Sequence, residues 1–281
     1  MNQKLLYLFT RTALHLGAGT SVGAVDQPIQ RERHTGFPII PGSSVKGVLR
    51  DCAERDPAVA PMVAKIFGDE DAKSAGVLSF GEARILAFPV RSARGSFALI
   101  TCPLALERFR RARGDLDKMP SPIKRPPEEP AEARCFAGDK LGLPFEKPVA
   151  IILEEYRFEL AGPFQLEWEA ALLGLLDDEV WKVAKGRFVL LNNGDFSHFV
   201  RNACEINQHV RISDQTGTAA KGGLFDLEAV PAETLFFAPI TVLPRATDEF
   251  ASVRQMIERK RILQFGGDGT TGLGFCTVKL A

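Results

Sequence analysis

The chain lacks any excess of charge: 35 Lys and Arg residues balance 35 Asp and Glu over 281 positions. Dedicated duplex-DNA binders are strongly basic, so the balance points instead to local basic clusters along a groove, or to one subunit of a larger particle. Metal-type cysteine spacing is missing too. The five cysteines (Cys52, Cys102, Cys135, Cys204 and Cys276) lie far apart, with no CxxC pair and no Cys/His spacing for zinc. Their odd number and the lack of a signal-peptide pattern predict reduced thiols in the cytoplasm. Cys102, between Thr101 and Pro103, reads as the end of a strand. No apolar run approaches the roughly 20 residues of a membrane span, which predicts a soluble protein with no membrane partner. There is also no HExxH, no nucleophile elbow and no paired-carboxylate spacing, which removes the common hydrolase signatures.

What the chain does have is concentrated at its two ends. The run LHLGAGTSVGAVDQPIQRERHTGFPIIPGSSVKGVLRD, from Leu14 to Asp51, holds His15, His34, the lone Asp26, a basic pair (Arg31, Arg33) and a Gly-Ser-Ser-x-x-Lys helix start. Gly17, Gly19, Gly23, Gly36 and Gly42 punctuate it. FGGDGTTGLGF, from Phe265 to Phe275, is a second glycine-rich segment. Two such loops predict a surface where an anionic polymer can approach the main chain.

Between the ends, 45% hydrophobic content supports one large core or two modest ones. Leu5 to Gly17 reads as a first strand with a glycine break. Ser43 or Ser44 is expected to cap a helix carrying Val45, Val48, Leu49 and Cys52 on one face. Val77–Val90 and Ser96–Cys102 read as paired strands, and Pro103 as the first turn of a short helix. Residues 114–134 are rich in proline and charge, which predicts a mobile insertion with little core to offer rather than a domain boundary. Val149–Leu160 reads as a strand and Trp168–Ala184 as an amphipathic helix. A hairpin spans about 207–232, signalled by Asp-Gln-Thr-Gly between strand-like arms. Thr234–Leu243 reads as a buried strand. Asp248–Phe265 reads as a helix stopping at Gly266-Gly267, and Leu273–Leu280 as the last strand. This order describes a single-domain α+β protein over 1–281, and fits a ferredoxin-like sheet with large insertions better than a doubly wound one.

The chemistry has two readings at each point. At the helix start, Ser43, Ser44, Lys46 and Arg50 could cradle a phosphate against free N–H groups, or form an ordinary capped helix with a solvated basic face. The closing glycine run is neither a Walker loop nor a dinucleotide fingerprint, because it precedes a strand. Either it is a turn, or Gly266, Gly267, Thr270, Thr271 and Gly272 hold an anionic backbone; five glycines in nine residues exceed what a turn needs. Asp26 suits a loop cap and His15 a strand. From chemistry alone the chain is an anion-binding α+β protein of open activity.

In combination, the run from His15 to Arg50, the segment RISDQTGTAAKGGLF with its following PAETLFF, and the terminal GGDGTTGLGF resemble the backbone subunit of the type III-B CRISPR effector. That effector is the Cmr complex, and its backbone subunit belongs to the repeat-associated mysterious protein (RAMP) superfamily. The resemblance covers most of the chain outside the Pro-rich segment. It implies a modified ferredoxin-like or RRM-like palm with a protruding β-hairpin thumb. Partners would be a crRNA guide, complementary single-stranded target RNA, further copies in a helical filament and other Cmr subunits. It implies cutting at regular intervals by a metal-dependent endoribonuclease, with the RNA's own 2′-hydroxyl attacking to leave a cyclic phosphate. The family position for cutting falls on Asp26, as ligand of a divalent ion (Mg2+ or Mn2+) or as base. His15 is a candidate helper, and Glu228 is the nearest match to the acidic side chain that the family places in the thumb region. Ala229 stands where an aromatic residue is expected. RNA binding would draw on the residues of the two glycine-rich segments, with Arg31 and Arg33. Two rivals are a RAMP scaffold that binds guide RNA without cutting, and a metabolic enzyme holding a nucleotide on its glycine loop.

Overall fold

Leu5, Leu6, Tyr7, Leu8 and Phe9 form the middle of β1 (Asn2–Thr10), and their alternation divides the protein. The computed structural model describes residues 2–21, 23–69, 71, 73–115, 119–126, 134–213, 215–244 and 246–281. Leu6 and Leu8 enter one hydrophobic cluster; Leu5, Tyr7 and Phe9 enter a second on the other side. A strand buried on both faces must be apolar at every position, which is why this run shows no polar alternation.

After β2 (Ile39–Ile40), α1 (Gly42–Glu54) buries Val45, Leu49 and Ala53. Its cap departs from expectation. Pro41 is the N-cap residue, no side chain caps the helix, and Ser43 and Ser44 lie inside the first turn. Gly42 explains the choice, because a Cβ there would collide with the Phe80 carbonyl oxygen. The helix start is set by a close approach to the sheet, not by a hydroxyl. The short α2 (Val63–Phe67) leads into β3 (Leu78–Phe80) and then β4 (Ala83–Ser92), which pairs antiparallel with β5 (Ser96–Thr101). Helix α3 (Pro103–Arg113) opens on proline as expected and stops at left-handed Gly114.

The next stretch corrects the sequence reading. Of the Pro-rich segment 114–134, part lies outside the described residues. In residues 119–126, Met119 (8% exposed) and Ile123 (5%) join the second cluster. The Trp168 indole N–H donates to the Ser121 carbonyl at 3.0 Å. Two apolar side chains suffice where the tertiary surface offers them a socket.

Beyond it come β6 (Arg134–Ala137), β7 (Ala150–Leu153) and β8 (Tyr156–Pro163). The single strand expected over 149–160 is thus a hairpin, turning at Glu154, whose φ is +52°. The helix expected from Trp168 to Ala184 is broken at Gly174 into α4 (Leu166–Leu173) and α5 (Glu179–Lys182). They are followed by β9 (Phe188–Leu190) and α6 (Asn193–Asn202). A separate two-stranded ribbon, β10 (Glu205–Ile212) with β11 (Ala219–Ala229), precedes β12 (Leu235–Val242). Helix α7 (Thr247–Lys260) ends earlier than expected, at left-handed Arg261. Gly266-Gly267 is therefore no helix stop, and β13 (Ile262–Gln264) intervenes before β14 (Phe275–Leu280).

The main sheet runs β13-β14-β1-β12-β4-β5-β9-β6-β8-β7, with β7 also touching β4 at Ser92–Leu153. Helices α1 and α7 pack with the first cluster; α3, α4 and the indoles of Trp168 and Trp181 fill the second. The result is a mixed α/β protein with a β-rich core. Among the described residues no helix is long and apolar enough to cross a membrane.

Candidate active site where the first loop meets the ribbon

The loop after β1 doubles back on itself. Ala18 N–H donates to Pro28 O and Gln30 N–H to Leu16 O, both at 2.8 Å, and Ser21 N–H donates to Asp26 O. The folded loop is then stitched along β11. Leu14 and Val230 exchange two backbone bonds, Gln27 N–H donates to Asp226 O, and Glu228 N–H donates to Gln27 O. Almost every backbone group from 226 to 230 on that edge is engaged, so the loop is held like an extra strand.

This stitching brings His15 and Asp26 to one place. The Nδ1 of His15 lies 2.7 Å from Glu228 O. A carbonyl can only accept, so Nδ1 carries the proton and Nε2 presents its lone pair. The ring is buried, and the missing side chain of Gly17 leaves room beside Nε2. Asp26 is exposed at the loop tip, and its Oδ2 accepts the Asp226 N–H at 2.9 Å. The two anchor points, 226 and 228, are two residues apart on one strand, about 7 Å.

The second glycine segment closes on the same histidine from the other end of the chain. Gly267 N–H donates to His15 O at 3.0 Å, and a Cβ on Gly266, whose φ is +77°, would overlap that oxygen. Gln264 braces the loop from beneath, its Nε2 donating to Gly266 O (3.1 Å) and Leu273 O (3.2 Å). So Gly266 serves close approach, a role for which only glycine fits.

Two glycine-rich ends of the chain thus meet at one histidine, and Asp26 is anchored two residues away on the same strand. The model of the RAMP superfamily matches residues 8–277. The chain belongs to that superfamily. Over its whole length it is 38% identical to the CRISPR system Cmr endoribonuclease Cmr4 of Pyrococcus furiosus, covering 96% of that protein. The crystal structure of oligomeric Cmr4 from the same organism superposes with a TM-score of 0.73 at 32% identity, covering 100% of this chain and 98% of that one. A subunit of the type III-B Cmr-beta complex bound to cognate target RNA shares the fold, with a TM-score of 0.76 at 20% identity over 100% of this chain and 97% of that one.

Within this RAMP protein the remaining expected site residues fall into two groups. Arg33, Ser43 and Lys46 are exposed, as are Gly266, Gly267, Thr270 and Thr271; Ser44 and Gly272 are half-buried. Arg31, Glu228 and Arg50 are turned to structural work. The Glu228 carboxylate is buried, accepting from Ile29 N–H at 2.9 Å with one oxygen and from Arg31 with the other. Arg31 also donates to Gly36 O (2.9 Å) and Val200 O (2.7 Å) and reaches Cys204 Sγ (3.3 Å). Glu228 and Arg31 therefore tie the loop, the ribbon and the end of α6 together. Arg50 turns to Glu54 (2.8 Å) and to Gly68 O (3.2 Å).

Among the described residues no group of three or more His, Cys, Asp or Glu side chains could hold a metal ion. Asp26 alone is a poor divalent site, since such ions take six or more oxygens. Thiol chemistry has no candidate either. Burial pushes Cys102 and Cys135 up to about 12 and Cys204 up to about 11, leaving no thiolate at neutral pH.

Sequence reasoning missed the outer face of the ribbon. Ile206, Val210 (50% exposed), Ile212 and Leu224 (59%) are bare, with Val210 directly opposite Leu224. The alternation in EINQHVRI carried the signal. The opposite face stacks His209 on Phe225 at 5.3 Å.

Proposed function

We propose that this RAMP protein is a guide-RNA-binding backbone subunit of a type III-B CRISPR interference complex, cutting complementary target RNA at regular intervals. The single observation that carries the cutting is the convergence of His15 and Asp26 on residues 226–228 of β11. Full-length similarity to a named Cmr endoribonuclease supports the same reading. The order β14-β1-β12-β4, with α1 following β1 and α7 following β12, supports a ferredoxin-like palm. The projecting β10–β11 ribbon with its bare apolar face supports a thumb that wedges between bases. Free thiols throughout support a reducing compartment, the cytoplasm.

The chemistry follows from the two side chains. His15 Nε2, its tautomer set by Glu228 O, takes the proton from the 2′-hydroxyl beside the scissile phosphate. The 2′-oxygen attacks phosphorus in line, the bond to the 5′-oxygen breaks, and that oxygen leaves protonated by His15 or water. The products are a 2′,3′-cyclic phosphate and a 5′-hydroxyl. Unstacking of the neighbouring nucleotide by the ribbon lets the backbone reach in-line geometry, a large effect in such intramolecular attacks. Asp26, held on one oxygen by Asp226 N–H, keeps its other oxygen toward solvent to orient the hydroxyl. Mg2+ or Mn2+ would find too few donors here without the RNA's own oxygens.

The test is Asp26→Ala in the assembled complex. Target cutting should fall at least about a hundredfold, the usual worth of a positioned acid–base group, while guide and target affinity in gel shifts stay unchanged. Cutting at the wild-type rate refutes the assignment and favours a scaffold that binds guide RNA without cutting.

A further inference from the structure

One cavity lies apart from the His15–Asp26 site. It has a volume of about 550 Å3 and sits between the end of β4, the β7–β8 turn, the end of α6 and the root of the ribbon. Its chemistry is anionic and aromatic. Glu155, Glu205 and Glu233 line it together with Tyr156, whose ring packs edge-on against His198 and Phe199. Arg91 is the one guanidinium among its described lining residues, and Glu154 engages it through both backbone and side chain. The C-terminal end of α6 adds further partial negative charge. Three carboxylates in excess repel a phosphate backbone, so this cleft suits a cation, and best a guanidinium that can stack on Tyr156 while meeting carboxylates.

The opposite pole of the sheet supplies such cations. The last turn of α3 carries Arg110, Arg111 and Arg113, the latter two exposed. Gln3 Nε2 donates to Ala112 O at 2.6 Å, which pins this turn beside the start of β1. The cavity instead abuts the far end of β1, where Thr10 bonds Pro231 O and Glu233 N–H donates to Thr10 O. From Gln3 to Thr10 is about 23 Å at about 3.3 Å per residue. A neutral chain thus carries a basic knob at one pole and an acidic aromatic cleft at the other.

We propose that the cleft receives the arginine-bearing end of α3 from a second copy of the chain. Knob and cleft are different surfaces on opposite poles, so the contact is heterologous and does not close, and copies stack head to tail. The inference rests on the proposed role as a backbone subunit, but its test reads association and not cutting.

The test uses two full-length variants, Arg111→Glu/Arg113→Glu and Glu155→Arg/Glu205→Arg, in sedimentation with and without a guide-length RNA. Each variant alone should self-associate more than about a hundredfold more weakly than wild type, since like charges face each other. An equimolar mixture should recover wild-type assembly. Acidic knob then meets basic cleft in one direction, and the native pair forms in the other. Should either variant melt abnormally, the Gln versions at the same positions replace it, with about tenfold weakening expected. Wild-type assembly by either variant alone, or no recovery on mixing, overturns the proposal. Titration with spermidine separates a free polyamine: binding that is lost in the cleft variant while assembly persists also overturns it. Wild-type protein that assembles in this way but cuts no target RNA counts against the proposed function and leaves this interface standing.

Discussion

Replacing Glu228 separates a positioning carboxylate from a catalytic one. In Glu228→Ala, the Arg31 guanidinium loses its charge partner and the buried Ile29 N–H loses its acceptor. Breaking a buried pair from one side costs about 3–5 kcal/mol. Arg31 keeps Gly36 O, Val200 O and Cys204 Sγ, so the lower part of that range applies, about 3–4 kcal/mol. With an unfolding entropy of about 2.1 cal/mol/K per residue, 281 residues give about 0.6 kcal/mol/K, and the melting temperature should fall by about 5–7 °C. Glu228→Gln keeps one acceptor and should cost about 1–2 kcal/mol. Thermal melts and single-turnover cleavage well below the transition are the assays. A positioning role predicts that the Gln variant cuts within about tenfold of wild type, because His15 is held by the backbone carbonyl of residue 228 and not by its side chain. A Gln variant with unchanged melting but cutting reduced a hundredfold or more would refute this reasoning, since that loss belongs to acid–base chemistry.

Two further predictions address the Pro-rich segment and the outer face of the ribbon. Ile123→Ala should destabilise by about 2–4 kcal/mol in denaturant unfolding, as core truncations do, and a change under about 0.5 kcal/mol would show that the segment does not pack on the body. Val210→Ser with Leu224→Ser should leave melting unchanged, since both side chains are exposed, but should blur the regular spacing of cuts on an end-labelled target; sharp, evenly spaced cuts would move the wedge elsewhere.

Local signals in the sequence were read well where a residue's own backbone decides the outcome. Pro103 opens α3, the apolar run at Leu5 forms a strand, although it stops at Thr10 and not at Gly17, and the turn after Ser213 joins two ribbon strands. Each depends on neighbours a few positions away. Helix breaks were less legible, as at Gly174, because a helical apolar pattern continues across the break and the packing of Trp168 and Trp181 against the sheet decides where the chain turns.

The candidate site divides along the same line. Asp26 and His15 were legible as unusual polar residues in a glycine-punctuated loop, and the superfamily resemblance gave Asp26 its expected role. Which charges remain available was not legible. Arg31 and Arg33 look alike in sequence, yet Arg31 is consumed by Glu228, 197 residues away, while Arg33 is exposed. Glu228 likewise reads as a second acid until Ile29 and Arg31 are seen to occupy both its oxygens. Gly266 looked like a helix stop and is instead the close approach to His15. Partners this distant in sequence leave no periodicity or spacing behind. Composition and local pattern determined α1, α3, β12, β14 and the first part of the β1 run, together with the loop chemistry. Only the packing of β11 against the first loop decided which of those polar groups stay exposed and which hold the fold, because burial and long-range pairing exist only once the sheet has closed.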